Sequence, residues 1–466
     1  MTSKKSGESQ RWMPWFLSLA GIAWLGQALL LGNPGYFSHD ELQWAAFADT
    51  PNFAAMPWNH VLDIGNFQYR PVTFNLWLII GRFLFVHPHA YHALWVALGT
   101  TNALLLHAVL RRWGLPARLA FAAALVFALN PFSAYVHGWV ATLADLLWLA
   151  ALLCIALLAV ARNHAAKIAP SSRFAAIAGI STLALLSKES AVVIPAICAL
   201  AWVLSPSKQH WRLATLASAI PTIIYLLMRV AIIDSGASGT AYAWNLWSIP
   251  ERWVEYFLYA FTPTVFEPAT ILTVAHARLA LAGLLSVGLL ASVFRAHWRL
   301  GVGLLIGSLL ILGPVLLLGF SAAQYGYAFS ALLCGIGGAS AWRLQGARFS
   351  SVWLGLLGLL AVLLVWHGLH IQRTIVHVGR LQSMFSPQLA SLASSPSPRP
   401  LRMRSETDES WIYQRLSHEI PSYRGQVMNR PVQIVPPGQT ADYLISADGT
   451  IHSLREGPAA SSLGPP

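Results

Sequence analysis

Apolar runs of about 15 to 21 residues recur along this chain from residue 13 to residue 370, and their natural solvent is lipid. A helix needs about 20 apolar residues to cross the hydrocarbon core of a bilayer. Candidate spans are 13–31, 91–110, 118–136, 142–161, 174–189, 190–204, 213–233, 277–294, 300–320, 326–342 and 350–370. Charged residues make up only 10% of the chain, against about 25% in a soluble domain. The expectation is an all-α polytopic membrane protein with eleven spans in residues 1–370, followed by a polar tail over 371–466.

Charge placement orients the bundle. The net charge is +12, but the basic residues cluster between apolar runs, where they orient spans instead of forming a nucleic-acid surface. One further run, 72–86, is short and contains Arg82. If it crosses, Arg111, Arg112, Arg118, Arg162, Lys167 and Arg173 all fall outside. If it lies at the outer interface, the inner segments become 1–11, 111–118, 162–173, 205–212, 295–299 and 343–349, each with Lys or Arg. The second arrangement satisfies the positive-inside rule. It makes 72–86 a juxtamembrane helix with Arg82 reaching the headgroups, and it leaves the tail outside. The first run follows Lys4, Lys5 and Arg11, is longer than a secretory apolar region, and reads as a retained anchor. In the tail, 371–385 carries Ile371, Ile375, Val378, Leu381 and Phe385 at helical spacing, suited to the membrane surface. The stretch 386–400 reads as a linker, Val432–Val435 and Tyr443–Ser446 as short strands, and 457–466 as disordered.

In this orientation the unusual polar residues gather on the outer side. The first outer loop holds Ser38-His39-Asp40-Glu41, Asp63 and Tyr69-Arg70-Pro71. Later turns hold His137 and Asp145, then Ser187-Lys188-Glu189-Ser190, then Gln324-Tyr325-Gly326-Tyr327. The loop 234–276 carries Asp234, Glu251, Arg252, Glu255 and Glu267. An ionisable group at the bilayer centre costs about 2.5–3.5 kcal/mol on insertion scales, so such groups pair, face a wet cavity or do chemistry. Structural roles compete in each case: Asp40-Glu41 as a helix start, Lys188-Glu189 as a mutual ion pair, Arg70 as a headgroup anchor. His39, His60, His87, His89 and His92 read as interfacial, without metal spacing. Cys154, Cys198 and Cys334 all lie within apolar runs and form no disulfide or metal framework.

These segments together resemble the polyprenyl-phosphate-sugar-dependent glycosyltransferases of the GT-C fold. Those include the protein O-mannosyltransferases, the aminoarabinose lipid A transferases and, nearest in pattern, the transmembrane-and-tetratricopeptide O-mannosyltransferases. The acid pair after the first span is similar to the family's first outer loop. Further similarity runs through Tyr69-Arg70-Pro71-Val72-Thr73, Tyr91-His92 and Leu106-His107, then Phe127-Ala128-Leu129-Asn130-Pro131 and Trp139 to Asp145-Leu146-Leu147. Leu186-Ser187-Lys188-Glu189-Ser190 to Pro195 and the weaker Gln324-Tyr325-Gly326-Tyr327 complete it. The chain departs from the pattern at Glu41, where the family more often has Asp, and at Gln324, where it often has Arg. No repeat of about 34 residues marks a tetratricopeptide array.

The resemblance implies a donor sugar on a polyprenyl phosphate, an acceptor hydroxyl on a protein, lipid or glycan, and inversion at the anomeric centre. The physical reading agrees with it. A phosphate leaving group needs positive charge, which Lys188 and Arg70 supply. The acceptor needs a base. Asp40 is the first choice, Glu41 its substitute or orienter, and Asp145 a holder of the acceptor or of Lys188. Glu189, His92, Tyr325 and Gln324 are supporting residues. No cofactor is required; one divalent cation on the acid cluster is the lesser variant. A transporter or lipid flippase would carry its charges near the midplane in two related halves. A polysaccharide ligase or polymerase would show a large basic outer loop. The absence of an Asn-x-Ser/Thr sequon and the short inner loops favour a bacterial inner membrane, with the site facing the periplasm.

Overall fold

The computed structural model describes residues 13–49, 68–160, 169–205, 208–234 and 244–454. Lys4, Lys5, Arg11, His60, Asp63, Arg162, Lys167 and the last residues from 457 lie outside them. The helices are α1 (Met13–Leu25), α2 (Ala28–Leu31), α3 (His39–Ala48), α4 (Pro71–Leu84), α5 (Pro88–Arg112), α6 (Ala117–Leu129), α7 (Pro131–Gly138), α8 (Leu143–Val160), α9 (Pro170–Leu185) and α10 (Ile194–Leu204). They continue with α11 (Lys208–Asp234), α12 (Ile249–Ala260), α13 (His276–Ala296), α14 (Trp298–Leu316), α15 (Tyr327–Leu344), α16 (Ser350–Ala393) and α17 (Ser410–Ser417).

Among the described residues, six helices are long and apolar enough to cross a membrane: Pro88–Arg112, Val140–Val160, Gln209–Val230, His276–Ala296, Trp298–Leu316 and Ser350–Ala393. The pair α6 and α7, bent by 55°, makes a seventh if it is one span. Met13–Leu25, Pro71–Leu84 and Glu189–Leu204 are apolar but shorter. The membrane part is thus helical, with fewer full-length spans than the eleven expected. Large apolar side chains remain exposed along α11, among them Ile223, Leu227 and Val230, as lipid contact requires.

The bend between α6 and α7 has a local cause. Pro131 disfavours helical backbone at Asn130, and Asn130 instead caps the new helix, accepting from Phe132 N at 2.9 Å and Ser133 N at 3.1 Å. The bend swings His137 into the core. There its Nδ1 meets Gln27 Oε1 at 2.6 Å and its Nε2 meets the Tyr327 hydroxyl at 2.9 Å. A Cβ on Gly99 would overlap the His137 ring, so the glycine is what admits the histidine.

The run expected at the interface is α4, at 14 residues about 21 Å long and short of a bilayer core. Its Arg82 keeps an exposed side chain and also makes contacts within the protein. Its Nη1 donates to Ala48 O at 3.1 Å, closing the C-terminus of α3, and sits 3.9 Å from Asp49.

The tail differs most from expectation. The helix begun at Ser350 runs unbroken to Ala393, through Pro387 and the first half of the expected linker. Ile371, Ile375, Val378, Leu381 and Phe385 are buried in protein contacts and do not lie on a membrane surface. Their neighbours are α7, the loop after α2 and α17. Gly35 and Gly379 let that loop cross α16 backbone to backbone: a Cβ on Gly35 would strike Gly379 O. Tyr36 N then donates to Gln382 Oε1 at 2.9 Å.

Beyond α16 the chain folds as a small α/β unit. Its strands are β1 (Leu401–Ser405), β2 (Ser422–Tyr423), β3 (Gln426–Val427), β4 (Val432–Ile434), β5 (Tyr443–Ile445) and β6 (Ile451–Ser453). Four form a sheet in the order β4-β1-β5-β6, with β1 parallel to β4 and β5, and β6 antiparallel. Leu401, Met403 and Ile445 turn inward against Ile412, Tyr413 and Leu416 of α17. Phe385 of α16 meets Tyr413 at 5.0 Å between ring centres, seating the unit on the helix end.

Candidate functional site

The acid pair opens α3. Ser38-His39-Asp40-Glu41 has the spacing of a capping box, and Glu41 reaches back to Ser38 N at 2.8 Å. Glu41 also accepts from Phe37 N at 2.5 Å and, through its other oxygen, from Val140 N at 2.9 Å. It is 1% exposed. Burial pushes its carboxyl up to about 8, against the pull of those three amides. Glu41 therefore pins the first loop to the junction before α8 and has no oxygen turned to solvent. Asp40 is the open member of the pair. Its side chain is 37% exposed and lies 3.0 Å from His39 Nε2.

The cations stand on the 186–189 turn and at the start of α4, which are stitched together. Val72 N donates to Leu186 O at 3.1 Å, and Thr73 Oγ1 donates to Ser187 O at 2.7 Å. Trp77, one helical turn on, donates from Nε1 to Val140 O at 2.8 Å, joining this frame to the residue that clamps Glu41. The ion pairs are crossed relative to sequence neighbours. Lys188 Nζ binds Asp145, and both are buried. Glu189 instead receives Arg70, whose Nε donates to its two oxygens at 2.9 and 2.7 Å. The mutual Lys188–Glu189 pair is thus replaced, and Asp145 holds Lys188. Arg70 Nη1 and Nη2 form no hydrogen bond among the described residues, and its side chain is 22% exposed.

The supporting residues divide. Tyr325 lies beneath Lys188 Nζ, 5.2 Å from its ring centre. Gln324 turns Oε1 into the protein without a hydrogen bond among the described residues. His92 belongs to the framework: its Nε2 meets Gly35 O at 2.9 Å, holding the loop that leads to Asp40.

Three residues without a sequence-assigned role join the site. Tyr135 donates to Glu267 Oε1 at 2.6 Å, and Glu267 Oε2 accepts from Ala323 N at 3.4 Å, beside Gln324. Arg415 of α17 stacks on Phe37, with the guanidinium carbon 4.2 Å from the ring centre, and also faces Trp139 at 5.4 Å. Its Nη2 donates to the Tyr135 hydroxyl at 3.4 Å, and its Nη1 is 3.9 Å from Glu267. Burial holds the Glu267 carboxyl up, and Arg415 works against that. Tyr135 falls in the apolar run 118–136, between the matched Pro131 and Trp139, and Glu267 inside a loop noted for its acids. Arg415 had no signal, because 280 positions separate it from its hydrogen-bond partner. Among the described residues, no three His, Cys, Asp or Glu side chains converge as a metal site would require.

No family model matches the sequence, and no curated protein matches it. In structure the chain is similar to the Archaeoglobus fulgidus oligosaccharyltransferase tethered with an acceptor peptide, with TM-score 0.48, 14% identity and 90% of this chain covered. It is similar to arabinofuranosyltransferase AftD from Mycobacteria, with TM-score 0.44, 15% identity and 84% covered. A third resemblance is to the archaeal oligosaccharyltransferase AglB in complex with an inhibitory peptide and a dolichol-phosphate, with TM-score 0.46, 13% identity and 90% covered. The chain spans 63%, 29% and 64% of those proteins' lengths, less than two thirds of each.

Proposed function

We propose that this chain is an integral membrane glycosyltransferase. It transfers a sugar from a polyprenyl-phosphate donor to an acceptor hydroxyl at the outer face, with inversion. The observation that carries the reading is the pairing pattern. One acid, Asp40, keeps a partly exposed side chain beside His39 on a helix whose other acid is fully bonded, while the Nη groups of Arg70 have no hydrogen bond among the described residues and stand beside a buried Lys188–Asp145 pair. A partly exposed carboxylate and a guanidinium with donors to spare, held in one framework, suit a displacement at a phosphate-linked carbon.

In that reaction the acceptor oxygen attacks the anomeric carbon and gives its proton to Asp40. The bond from that carbon to the phosphate oxygen breaks, and the polyprenyl phosphate leaves with the electron pair. Arg70 contacts the phosphate directly through its Nη groups. Lys188 adds positive potential from behind, with Asp145 fixing its position and Tyr325 its underside. Glu41 orients Asp40 by anchoring α3. Preorganised cations need no reorganisation as the leaving charge develops. The scheme requires no metal.

In this reading α1, the bent pair α6–α7, α9, α10 and α15 join the six longer helices to make eleven crossings, with α4 at the outer interface and the C-terminal unit outside, in a bacterial inner membrane. The test is donor turnover by the purified chain in nanodiscs with undecaprenyl-phosphate-linked hexoses and pentoses and a panel of hydroxyl-bearing peptide, lipid and glycoside acceptors, read by mass spectrometry of released undecaprenyl phosphate. General-base catalysis contributes about 10²–10⁴-fold, so Asp40→Asn should lose at least 100-fold with expression and donor binding retained. Wild-type protein that consumes none of these donors refutes the reading. Full turnover by Asp40→Asn, with Asp145→Asn or Glu267→Gln inactive, moves the base elsewhere.

A further inference from the structure

Arg415 is a largely buried cation of the C-terminal unit whose donors are little used. A guanidinium has five N–H donors. Among the described residues Arg415 makes one hydrogen bond, at 3.4 Å, and its buried Nε has no partner. The group is nonetheless held rigidly, stacked on Phe37 and facing Trp139. A carboxylate, Glu267, stands 3.9 Å from it, and α17, which carries it, packs on α3, which carries Asp40. The C-terminal unit grips α3 at the same point, with the His39 and His418 rings 5.3 Å apart and Gln43 donating to Glu419 O at 2.9 Å. Water still reaches the array, since the side chains of Arg415 and Glu267 are 23% and 24% exposed. Trp411 stands at the rim, 42% exposed.

The alternation selects a ligand class. Two carboxylates repel an anion, and a lone cation between them offers it little. A hydroxyl both donates and accepts, so neighbouring hydroxyls can donate to Asp40 and Glu267 while accepting from Arg415. The exposed Trp411 side chain at the rim suits the C–H side of a sugar ring.

We propose that Asp40, Glu267 and Arg415 form a binding site for a neutral saccharide, so that the acceptor is a glycan and the C-terminal unit supplies part of its site. This rests on the glycosyltransferase reading above and names its acceptor. The site is distinct from the phosphate side at Arg70 and Lys188.

The test is saturation-transfer NMR on the full chain in nanodiscs, with methyl α-mannopyranoside, methyl α-glucopyranoside and methyl α-arabinofuranoside as neutral probes and methyl glucuronide as the anionic one. At least one neutral glycoside should bind and methyl glucuronide should not. Loss of a hydrogen bond to a charged group should weaken binding about tenfold or more in Arg415→Ala and in Glu267→Gln. Trp411→Ala, at an exposed rim position, should also weaken it without disturbing the fold. The inference is overturned if no neutral glycoside binds, if binding survives all three weakening substitutions, or if the glucuronide binds better. Donor turnover measured in parallel separates the two readings. Turnover without glycoside binding refutes this site alone, and no turnover of any donor refutes the reading beneath it.

Discussion

Removing either half of the Lys188–Asp145 pair leaves a charge that the fold has already taken out of water. Both side chains are nearly inaccessible, at 4% and 6%. Breaking such a pair by deleting one partner costs about 3–5 kcal/mol, whereas replacing both partners by apolar residues is neutral or stabilising by about 1–4 kcal/mol. Lys188→Met leaves Asp145 with Arg70 still in electrostatic reach, which points to the lower end of that range. Asp145→Leu leaves Lys188 above the Tyr325 ring at 5.2 Å, a contact worth about 2 kcal/mol when desolvated. At about 1.4 kcal/mol per tenfold, the lower end is roughly 150-fold in the folding equilibrium. The assay is unfolding by SDS in mixed micelles for wild type, the two single variants and Lys188→Met/Asp145→Leu, combined as a double-mutant cycle. The double variant should regain most of the lost stability and still fail to turn over donor. A cycle with no coupling energy would show that the pair does not form. A stable double variant with full turnover would show that Lys188 serves the fold only, and the phosphate role would fall.

Glu41 makes stability depend on pH. Its carboxyl is raised from 4.5 to about 8, so the folded state holds a proton that the unfolded state releases. Stability should fall as pH rises from about 4.5 to 8 and level off above, and Glu41→Gln should flatten that part of the unfolding curve while losing about 1–3 kcal/mol where its amide faces a backbone N–H. Gly99→Ala forces a methyl into the His137 ring and should cost about 1–3 kcal/mol by overpacking, read in the same unfolding assay; an unchanged midpoint would contradict the close approach. A cysteine at the exposed Thr440, in a background with Cys154, Cys198 and Cys334 replaced by Ala, should react with an impermeant maleimide in intact cells, and labelling only after membrane opening would reverse the orientation.

What could be read without coordinates was what local chemistry dictates. Hydropathy announced the helices, because each apolar run answers to lipid independently of its neighbours. The helix start at Asp40-Glu41 was readable for the same reason, whereas the break at Asn130-Pro131 falls inside a run, 118–136, that hydropathy alone draws as one span. The ion pairs were not readable. Adjacent residues in an extended turn point apart, so Lys188 and Glu189 take partners 43 and 119 positions away. Val432–Val435 and Tyr443–Ser446 showed strand character, but the sheet order needed the register with Leu401–Ser405. The linker expected over 386–400 rested on Ser and Pro, yet Pro387 is tolerated where Gln382, Phe385, Ser386 and Leu389 are buried against protein.

At 1.5 Å per residue, the 44 residues of Ser350–Ala393 measure about 66 Å, roughly twice the thickness of a bilayer core. The C-terminal unit is therefore carried on a rigid mast of fixed height and fixed heading. A flexible tether would let it search for the membrane domain; this one delivers Arg415 to a single bearing. One inserted residue would turn everything beyond it by about 100° and swing Arg415 off Phe37, whereas seven would return it to nearly the same bearing about 10 Å too high. In this chain the length of one helix works as a gauge that sets where the C-terminal unit meets the rest of the protein.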